Sequence, residues 1–269
     1  MAAFRRVITL RLRYAAVMAV AAGVGLLIAA GARAQFEPIV PGPSRAVTLE
    51  LVLAVDTSSS VSPEEFGLQM QGFATAFRDP SVIAAITATG AGGVAVSMIQ
   101  WSDNRRQQVA VDWTLLTDEE GALAVAGLID ATPRFLDGGG TAISGAIEFA
   151  LAEIDLNTFE GSRKVIDISG DGRANQGASP DTLRDLAVLK GVTVNGLAIL
   201  NEDSSVAAYY RANVIGGAGA FVMTANDYDS FAAAIREKLI KEIGAVPVAG
   251  GATDGHAGDL AEAGWFRRR

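Results

Sequence analysis

Apolar runs and amphipathic stretches alternate along residues 47–243, and this alternation predicts the fold. Apolar runs typical of buried strands lie at residues 47–55, 93–101, 163–169 and 192–200. Segments with the spacing of amphipathic helices separate these runs, and the last such segment covers residues 227–243. Strands that alternate with helices form a parallel sheet covered on both faces. The pattern therefore predicts a doubly wound α/β fold.

Short polar signals mark where helices begin and where one hairpin turns. Ser62, Pro63 and Glu65 form a complete helix-start signal, with an N-cap, a proline at the first helical position and a capping glutamate. Thr117 and Glu120 repeat the capping-box spacing. A second apolar run at residues 107–115 follows residues 93–101 after a short polar stretch, which predicts a hairpin. The sheet is therefore expected to be mostly parallel, with one antiparallel edge strand.

The first 34 residues have the pattern of a secretory signal peptide. Four arginines precede residue 14, and residues 14–30 carry no charge. Ala32 and Ala34 then place small residues where a signal peptidase reads them, which predicts cleavage after Ala34. The alternative is an uncleaved membrane anchor, because the uncharged run is just short of a bilayer span. We expect an exported protein, periplasmic or secreted, with no integral membrane span after cleavage.

The mature chain divides into three parts by composition. Residues 35–46 contain three prolines and predict an extended leader. Residues 47–243 contain no Pro- or Ser-rich linker and predict one domain. Residues 244–269 are rich in Gly and Ala and predict a disordered tail.

Composition excludes several classes of function. The signal segment holds five arginines and no acidic residue, so its removal takes the formal net charge from −8 to −13. Such an acidic chain repels phosphate backbones, which argues against nucleic acid as a partner. The chain has no cysteine, and its one histidine is His256 in the tail. Thiolate chemistry, disulfides and histidine-based zinc sites are thereby excluded or nearly so.

The candidate chemistry lies where predicted strands end. Asp56, Ser58 and Ser60 alternate directly after the first strand, so their oxygens can face one point. Oxygen ligands of this kind suit Mg²⁺, Ca²⁺ or Mn²⁺, although Asp and Ser are also common in ordinary turns. Asp171 follows another strand, and Thr141 lies at a loop-to-helix junction. The carboxyl ends of parallel strands share one edge of the sheet, so these residues are expected to meet there.

These five positions resemble the metal-ion-dependent adhesion site (MIDAS) of von Willebrand factor A domains. The family pattern is Asp-x-Ser-x-Ser after the first strand, a threonine in a later loop and an aspartate after the fourth core strand. Asp56, Ser58, Ser60, Thr141 and Asp171 match it in order. The resemblance covers residues 47–243. Three further segments are similar to a bacterial subgroup of exported von Willebrand A-like proteins without an assigned function: residues 165–172, 215–221 and 234–239.

The resemblance implies a role for each matched residue. Ser58, Ser60 and Thr141 would offer hydroxyl oxygens to a divalent cation, for which Mg²⁺ is the first expectation and Mn²⁺ or Ca²⁺ the alternatives. Asp56 and Asp171 would supply balancing charge, directly or through water. An open coordination position would then accept an Asp or Glu carboxylate of a partner protein. The expected function is non-enzymatic, metal-dependent protein binding.

Two other functions remain open from the sequence. One is a hydrolase that uses the cation to activate water, and the other is a scaffold that does not depend on its metal site. Asp137, Arg173 and Asn175 are candidate partner contacts around the rim, although each is also typical of a solvated loop.

Overall fold

The computed structural model describes residues 44–244, all within Pro43–Arg269, the second of two units into which the chain divides. The predicted signal peptide, residues 35–43 of the leader and residues 245–269 of the tail lie outside the described residues. The strands are β1 (Arg45–Asp56), β2 (Val94–Trp101), β3 (Gln107–Leu116), β4 (Phe159–Gly170), β5 (Val192–Ile199) and β6 (Val222–Ala225). The α-helices are α1 (Pro63–Arg78), α2 (Pro80–Ala88), α3 (Glu119–Asp130), α4 (Ile143–Leu156), α5 (Pro180–Leu189), α6 (Val206–Asn213) and α7 (Phe231–Gly244). Across residues 44–244, no helix has both the length and the apolar character needed to cross a bilayer.

The strands form one six-stranded sheet in the order β3-β2-β1-β4-β5-β6. Only the β2–β3 pair is antiparallel among the strand pairs of this sheet, and β3 lies at the edge. This arrangement confirms the predicted α/β fold and its antiparallel edge strand. The expected hairpin is the connection between β2 and β3.

Strand β1 is the point at which the order of the sheet reverses. Its neighbours are β2 on one side and β4 on the other, and Val55 pairs with Ser169. The carboxyl ends of β1 and β4 therefore lie side by side. Crevices at such switch points are where open α/β sheets bind ligands.

Helices cover both faces because β1 is apolar on both sides. Leu51, Leu53 and Val55 belong to the core under α1, α2, α3 and α7. Val52 and Ala54 belong to the core under α4, α5 and α6. Each fully buried leucine contributes about 1.5–3 kcal/mol relative to an exposed one. Two apolar layers thus hold the loops at the carboxyl edge in place.

The local signals predicted one helix start correctly and misplaced the N-cap of another. Ser62 and Glu65 form the expected capping box, with hydrogen bonds of 3.2 and 2.8 Å between side chain and backbone. For α3 the expected N-cap, Thr117, is wrong. Asp118 takes that position because its carboxylate accepts a 3.0 Å hydrogen bond from the Gly121 amide. A charged N-cap also interacts favourably with the helix dipole.

The last helix begins at Phe231, later than its periodicity predicts. Asp227 and Ser230 form a closed turn, in which Asp227 Oδ1 accepts from the Ser230 amide at 2.8 Å. The turn satisfies these polar groups without helix, so the preceding residues stay in a loop. This loop places Tyr228 in the interior.

A buried cluster of charges anchors α7 to the sheet. The Lys238 ammonium lies 2.6 Å from Asp167 on β4 and 2.5 Å from Glu242 one turn further along α7. Asn195 on β5 donates to Glu242 at 2.8 Å. The contact with Asp167 is an ion pair without hydrogen-bond geometry, since neither oxygen of Asp167 has a hydrogen-bond partner. Burial, more than any other cause, raises the pKa of Asp167 to about 7.

Candidate metal centre

The loop after β1 turns three oxygen-bearing side chains to one side. Asp56 Oδ1 accepts a 2.7 Å hydrogen bond from the Ser58 amide, and the Ser58 and Ser60 hydroxyls lie 3.1 Å apart. Thr57 points the other way, because its hydroxyl donates to the Trp101 carbonyl at 2.9 Å. Asp56 and Ser58 are fully buried, whereas Ser60 is exposed. The loop therefore presents a polar cluster that solvent reaches from one side.

The carboxyl end of β4 brings Asp171 to the same cluster. The Ser60 hydroxyl donates to Asp171 Oδ1 at 2.8 Å, although the two residues are 111 positions apart. The pairing of β1 with β4 sets this contact, since both side chains leave adjacent strand ends. Asp171 is only 4% exposed.

Thr141 reaches the cluster through the loop that precedes α4. The backbones of Ser59 and Gly139 join by a 3.0 Å hydrogen bond, which ties this loop to the one after β1. A side chain at Gly138 would meet the Ser59 hydroxyl at 2.7 Å, so the close approach requires glycine there. A Cβ at Gly172 would lie 4.0 Å from Thr141 Oγ1, which puts Thr141 beside the end of β4.

Arg134 holds the loop after β1 in place through hydrogen bonds to its carbonyl groups. Its guanidinium donates to the carbonyls of Val61, Thr57 and Ser58 at 2.8, 2.8 and 3.3 Å. The guanidinium carbon also lies over the ring of Phe66, 5.8 Å from its centroid. Charge-assisted bonds to carbonyls that have no strand or helix partner fix the path of the loop.

Asp56 has an electrostatic environment that favours a bound cation. Burial, and after it the nearby charge of Asp171, raise its pKa to about 7 against the opposing effect of hydrogen bonds from Ser58 and the charge of Arg134. Asp56 Oδ2 is buried and has no hydrogen-bond partner. A carboxylate in this position is costly unless positive charge comes close to it.

Two tyrosine hydroxyls lie next to the two carboxylates. Tyr228 donates to Asp171 Oδ2 at 3.1 Å, and burial together with the charge of Asp171 raises its pKa well above the usual value. The Tyr210 hydroxyl is buried without a partner. A Cβ at Gly170 would lie 2.7 Å from the Tyr210 hydroxyl and 2.8 Å from Asp56 Oδ2. Gly170 is therefore required between them.

The donor set fits a hard divalent cation held partly by hydroxyls. Within residues 44–244, no three His, Cys, Asp or Glu side chains converge as metal ligands do. The cluster instead combines two carboxylates with serine and threonine hydroxyls, and one buried carboxylate oxygen lacks a partner. Oxygen ligands of this type bind Mg²⁺, Mn²⁺ or Ca²⁺.

The three candidate rim residues have different surroundings. Asn175 touches the site directly: its Oδ1 accepts from the Thr141 amide at 2.8 Å. Arg173 is exposed but engaged, since it donates to Ser205 at 2.6 Å and pairs with Asp203. Asp137 is exposed, and its carbonyl accepts a 2.8 Å bond from Arg106. Among the hydrogen bonds of residues 44–244, Asn175 is the one of the three that contacts a predicted ligand residue, so it belongs to the site itself.

Sequence reasoning missed Arg134, Tyr210 and Tyr228. Arg134 follows a Thr-Pro pair before the glycine-rich loop, a context without a ligand signature. The two tyrosines lie in a helix and a turn that are distant in sequence from both carboxylates. No local pattern marks them, because their role depends on which elements pack beside β1 and β4.

The chain matches one protein family over most of its length. The family described as protein of unknown function (DUF1194) matches residues 46–247. A search of curated proteins gives no match.

Solved structures of von Willebrand A domains share the fold at low sequence identity. Proximal thread matrix protein 1 from the mussel byssus is 18% identical, with a TM-score of 0.52 over 75% of this chain and 48% of that one. The pilus adhesin SpaC from Lactobacillus rhamnosus GG is 17% identical, with a TM-score of 0.53 over 75% and 31%. The von Willebrand domain of the pilus tip protein Mfa5 from Porphyromonas gingivalis is 12% identical, with a TM-score of 0.51 over 74% and 96%. The chain thus spans about half the length of the mussel protein and about a third of the length of SpaC. These likenesses concern the fold alone.

Proposed function

The chain belongs to the DUF1194 family, which has a von Willebrand A-like fold, and we propose that it is an exported module that binds a partner protein through a divalent cation. One observation carries the proposal. Ser58, Ser60 and Asp171 form a continuous chain of side-chain contacts at the strand edge, beside a buried Asp56 oxygen that has no partner.

Ser58, Ser60 and Thr141 would hold the cation through their hydroxyls, and Asp56 and Asp171 would balance its charge. Bound there, the cation supplies a Lewis-acidic position for an incoming carboxylate. Few anionic ligands around the ion leave it attractive to an Asp or Glu of the partner. The chain's own residues fix the geometry: Arg134 holds the loop after β1, and Asn175 holds the Thr141 backbone.

Mg²⁺ is the proposed cation, with Mn²⁺ and Ca²⁺ as alternatives. A site with two carboxylates and several neutral hydroxyls suits a small ion that retains some of its water. The mussel byssus protein has also been solved with a zinc-occupied MIDAS motif, which supports a divalent ion in this fold without selecting one for this chain.

Export and the division of the chain are part of the same proposal. The signal-like residues 1–34 would direct the chain across the membrane, and residues 35–46 and 244–269 would flank a single domain at 47–243. The pilus adhesin and the pilus tip protein with similar folds support a location outside the cytoplasm.

A pull-down from the extracytoplasmic fraction tests the function. The domain should retain specific partners in about 5 mM Mg²⁺, a concentration high enough to occupy the site, and release them in EDTA. Esterification of partner carboxylates should abolish retention. Identical partners in EDTA would support a metal-independent scaffold instead. Hydrolytic turnover by the purified domain that needs the cation would support the hydrolase, although residues 44–244 contain no histidine to act as a base.

Affinity for Mg²⁺ should rise with pH up to about pH 7 and then level off. Metal-free Asp56, with its pKa raised to about 7, holds a proton that cation binding must displace. Below that pH the affinity should fall by up to about tenfold per pH unit. The sign is opposite for the metal-free fold: a raised folded-state pKa makes its stability decrease as pH rises from about 4 to 7. Calorimetric titrations in buffers of different ionisation enthalpy measure the released proton. The pH range of about 5.5 to 8 spans the pKa of Asp56, so an affinity that does not change over this range would contradict a role for Asp56 in binding the cation.

A further inference from the structure

Asp171 is held from two sides by hydroxyl donors. Ser60 donates to its Oδ1 at 2.8 Å, and Tyr228 donates to its Oδ2 at 3.1 Å. Ser60 comes from the loop after β1, whereas Tyr228 comes from the loop before α7. Two donors on opposite oxygens fix the plane of the carboxylate.

The hydroxyl of Tyr228 has no other partner among the described hydrogen bonds. Tyr228 is 4% exposed, so its hydroxyl cannot use bulk water in place of Asp171. Its ring belongs to the core under α7, and the substitution of phenylalanine would keep that packing. The hydroxyl can therefore be tested separately from the ring.

We propose that Tyr228 is a positioning residue that orients Asp171 in the candidate metal centre. Because Oδ1 accepts from Ser60 and Oδ2 accepts from the phenol, Asp171 is held in one orientation and cannot turn to bind a cation with both oxygens. This favours a small ion such as Mg²⁺, whereas Ca²⁺ accepts bidentate carboxylates and looser geometry. Hydrogen bonds to groups around a metal ligand commonly change affinity by about 10- to 100-fold. The proposal rests on the proposed function, since it assumes that Asp171 faces a cation.

Ser97 provides a control outside the site. Its buried hydroxyl donates to the Val111 carbonyl at 3.0 Å between β2 and β3. Ser97→Ala and Tyr228→Phe each remove one buried hydroxyl together with its hydrogen bond. Only the second substitution removes a bond to Asp171.

The experiment measures Mg²⁺ and Ca²⁺ affinity of the full mature chain by calorimetry. Tyr228→Phe should weaken Mg²⁺ binding about tenfold and Ca²⁺ binding about twofold or less, so that the Mg²⁺ to Ca²⁺ preference falls. Ser97→Ala should leave both affinities within about twofold, because the bond that it loses lies outside the site. A role limited to folding would lower stability without changing the preference between the ions.

A metal-free readout completes the test. In EDTA, Tyr228→Phe should lower the urea midpoint of the wild-type chain but not that of the Asp171→Leu variant, because the bonded carboxylate is absent there. Additive effects of the two substitutions, or an unchanged Mg²⁺ to Ca²⁺ preference in Tyr228→Phe, would overturn the proposal while leaving the metal-dependent function standing. Failure of the wild-type chain to bind either ion would overturn the proposed function and this proposal with it.

Discussion

Asp56→Asn should nearly abolish Mg²⁺ binding and at the same time stabilise the metal-free chain. The asparagine retains an oxygen for the 2.7 Å bond from the Ser58 amide but removes a buried charge whose Oδ2 has no partner. Loss of this charge should weaken Mg²⁺ binding by about 100-fold or more. The pKa of Asp56 is raised from 3.8 to about 7, so the ionised carboxylate opposes folding at higher pH. At pH 8 in EDTA, the free energy of unfolding should rise by about 1–3 kcal/mol.

Opposite signs for binding and stability distinguish a functional carboxylate from a structural one. Calorimetry measures the first quantity, and urea unfolding in EDTA measures the second. Asp118→Asn is a suitable control, because Asp118 is an exposed N-cap and Asn caps helices about as well as Asp. If Asp56→Asn destabilises the metal-free chain by more than about 1 kcal/mol, the carboxylate has a structural role that the unpartnered oxygen does not reveal.

Lys238→Met should destabilise the fold by about 3–5 kcal/mol at pH 8, the typical result of breaking a buried ion pair. Methionine fills a similar space but leaves Asp167 and Glu242 without the ammonium that lies 2.6 and 2.5 Å from them. Both acids are buried, so neither gains compensation from water. Because α7 is held to β4 through this cluster, its docking should weaken first. Urea unfolding gives the free energy, and amide hydrogen exchange reports α7 directly.

The loss should depend on pH in a defined direction. Burial already raises the pKa of Asp167 to about 7, and removal of the ammonium raises it more. A carboxyl group whose pKa is raised in the folded state makes the fold less stable as pH rises. The loss of unfolding free energy in Lys238→Met should therefore be smaller at pH 5.5, which lies roughly 1.5 units below the pKa of Asp167. Lys241→Met is the matched control on the same helix: it is exposed and contacts the Phe221 ring, and should cost about 1 kcal/mol or less. A pH-independent loss would show that packing, rather than charge, is responsible.

The metal motif could be predicted because its residues follow rules that act locally. Asp56, Ser58 and Ser60 alternate at the end of an apolar strand, and Asp171 ends another. The edge shared by strand ends then follows from the parallel arrangement. Thr141 is expected at this edge because it lies at a loop-to-helix junction, and its role as a ligand came from the family resemblance. The structure brings all five side chains into one region, and their metal role stays a prediction.

Errors arose where neighbouring polar residues competed for one backbone group. Thr117 and Asp118 both suit an N-cap, and the sequence pattern cannot rank their geometries; Asp118 bonds the Gly121 amide. Likewise, the apolar period predicts that the last helix begins at Asp227, but the turn closed by Ser230 delays its start to Phe231. In both places a bond over two or three residues decided a boundary that hydrophobic spacing leaves undetermined.

The sequence by itself determined the α/β class, the antiparallel edge strand and the chemistry available at the strand ends. These depend on periodicity and on residue types, which are properties of single segments. Tertiary structure alone decided that Arg134 secures the loop after β1, that Tyr228 holds Asp171, and that Lys238 joins Asp167 beneath α7. Such contacts join residues that are tens of positions apart, and their energies come from burial, which exists only once both layers of helices have packed on the sheet.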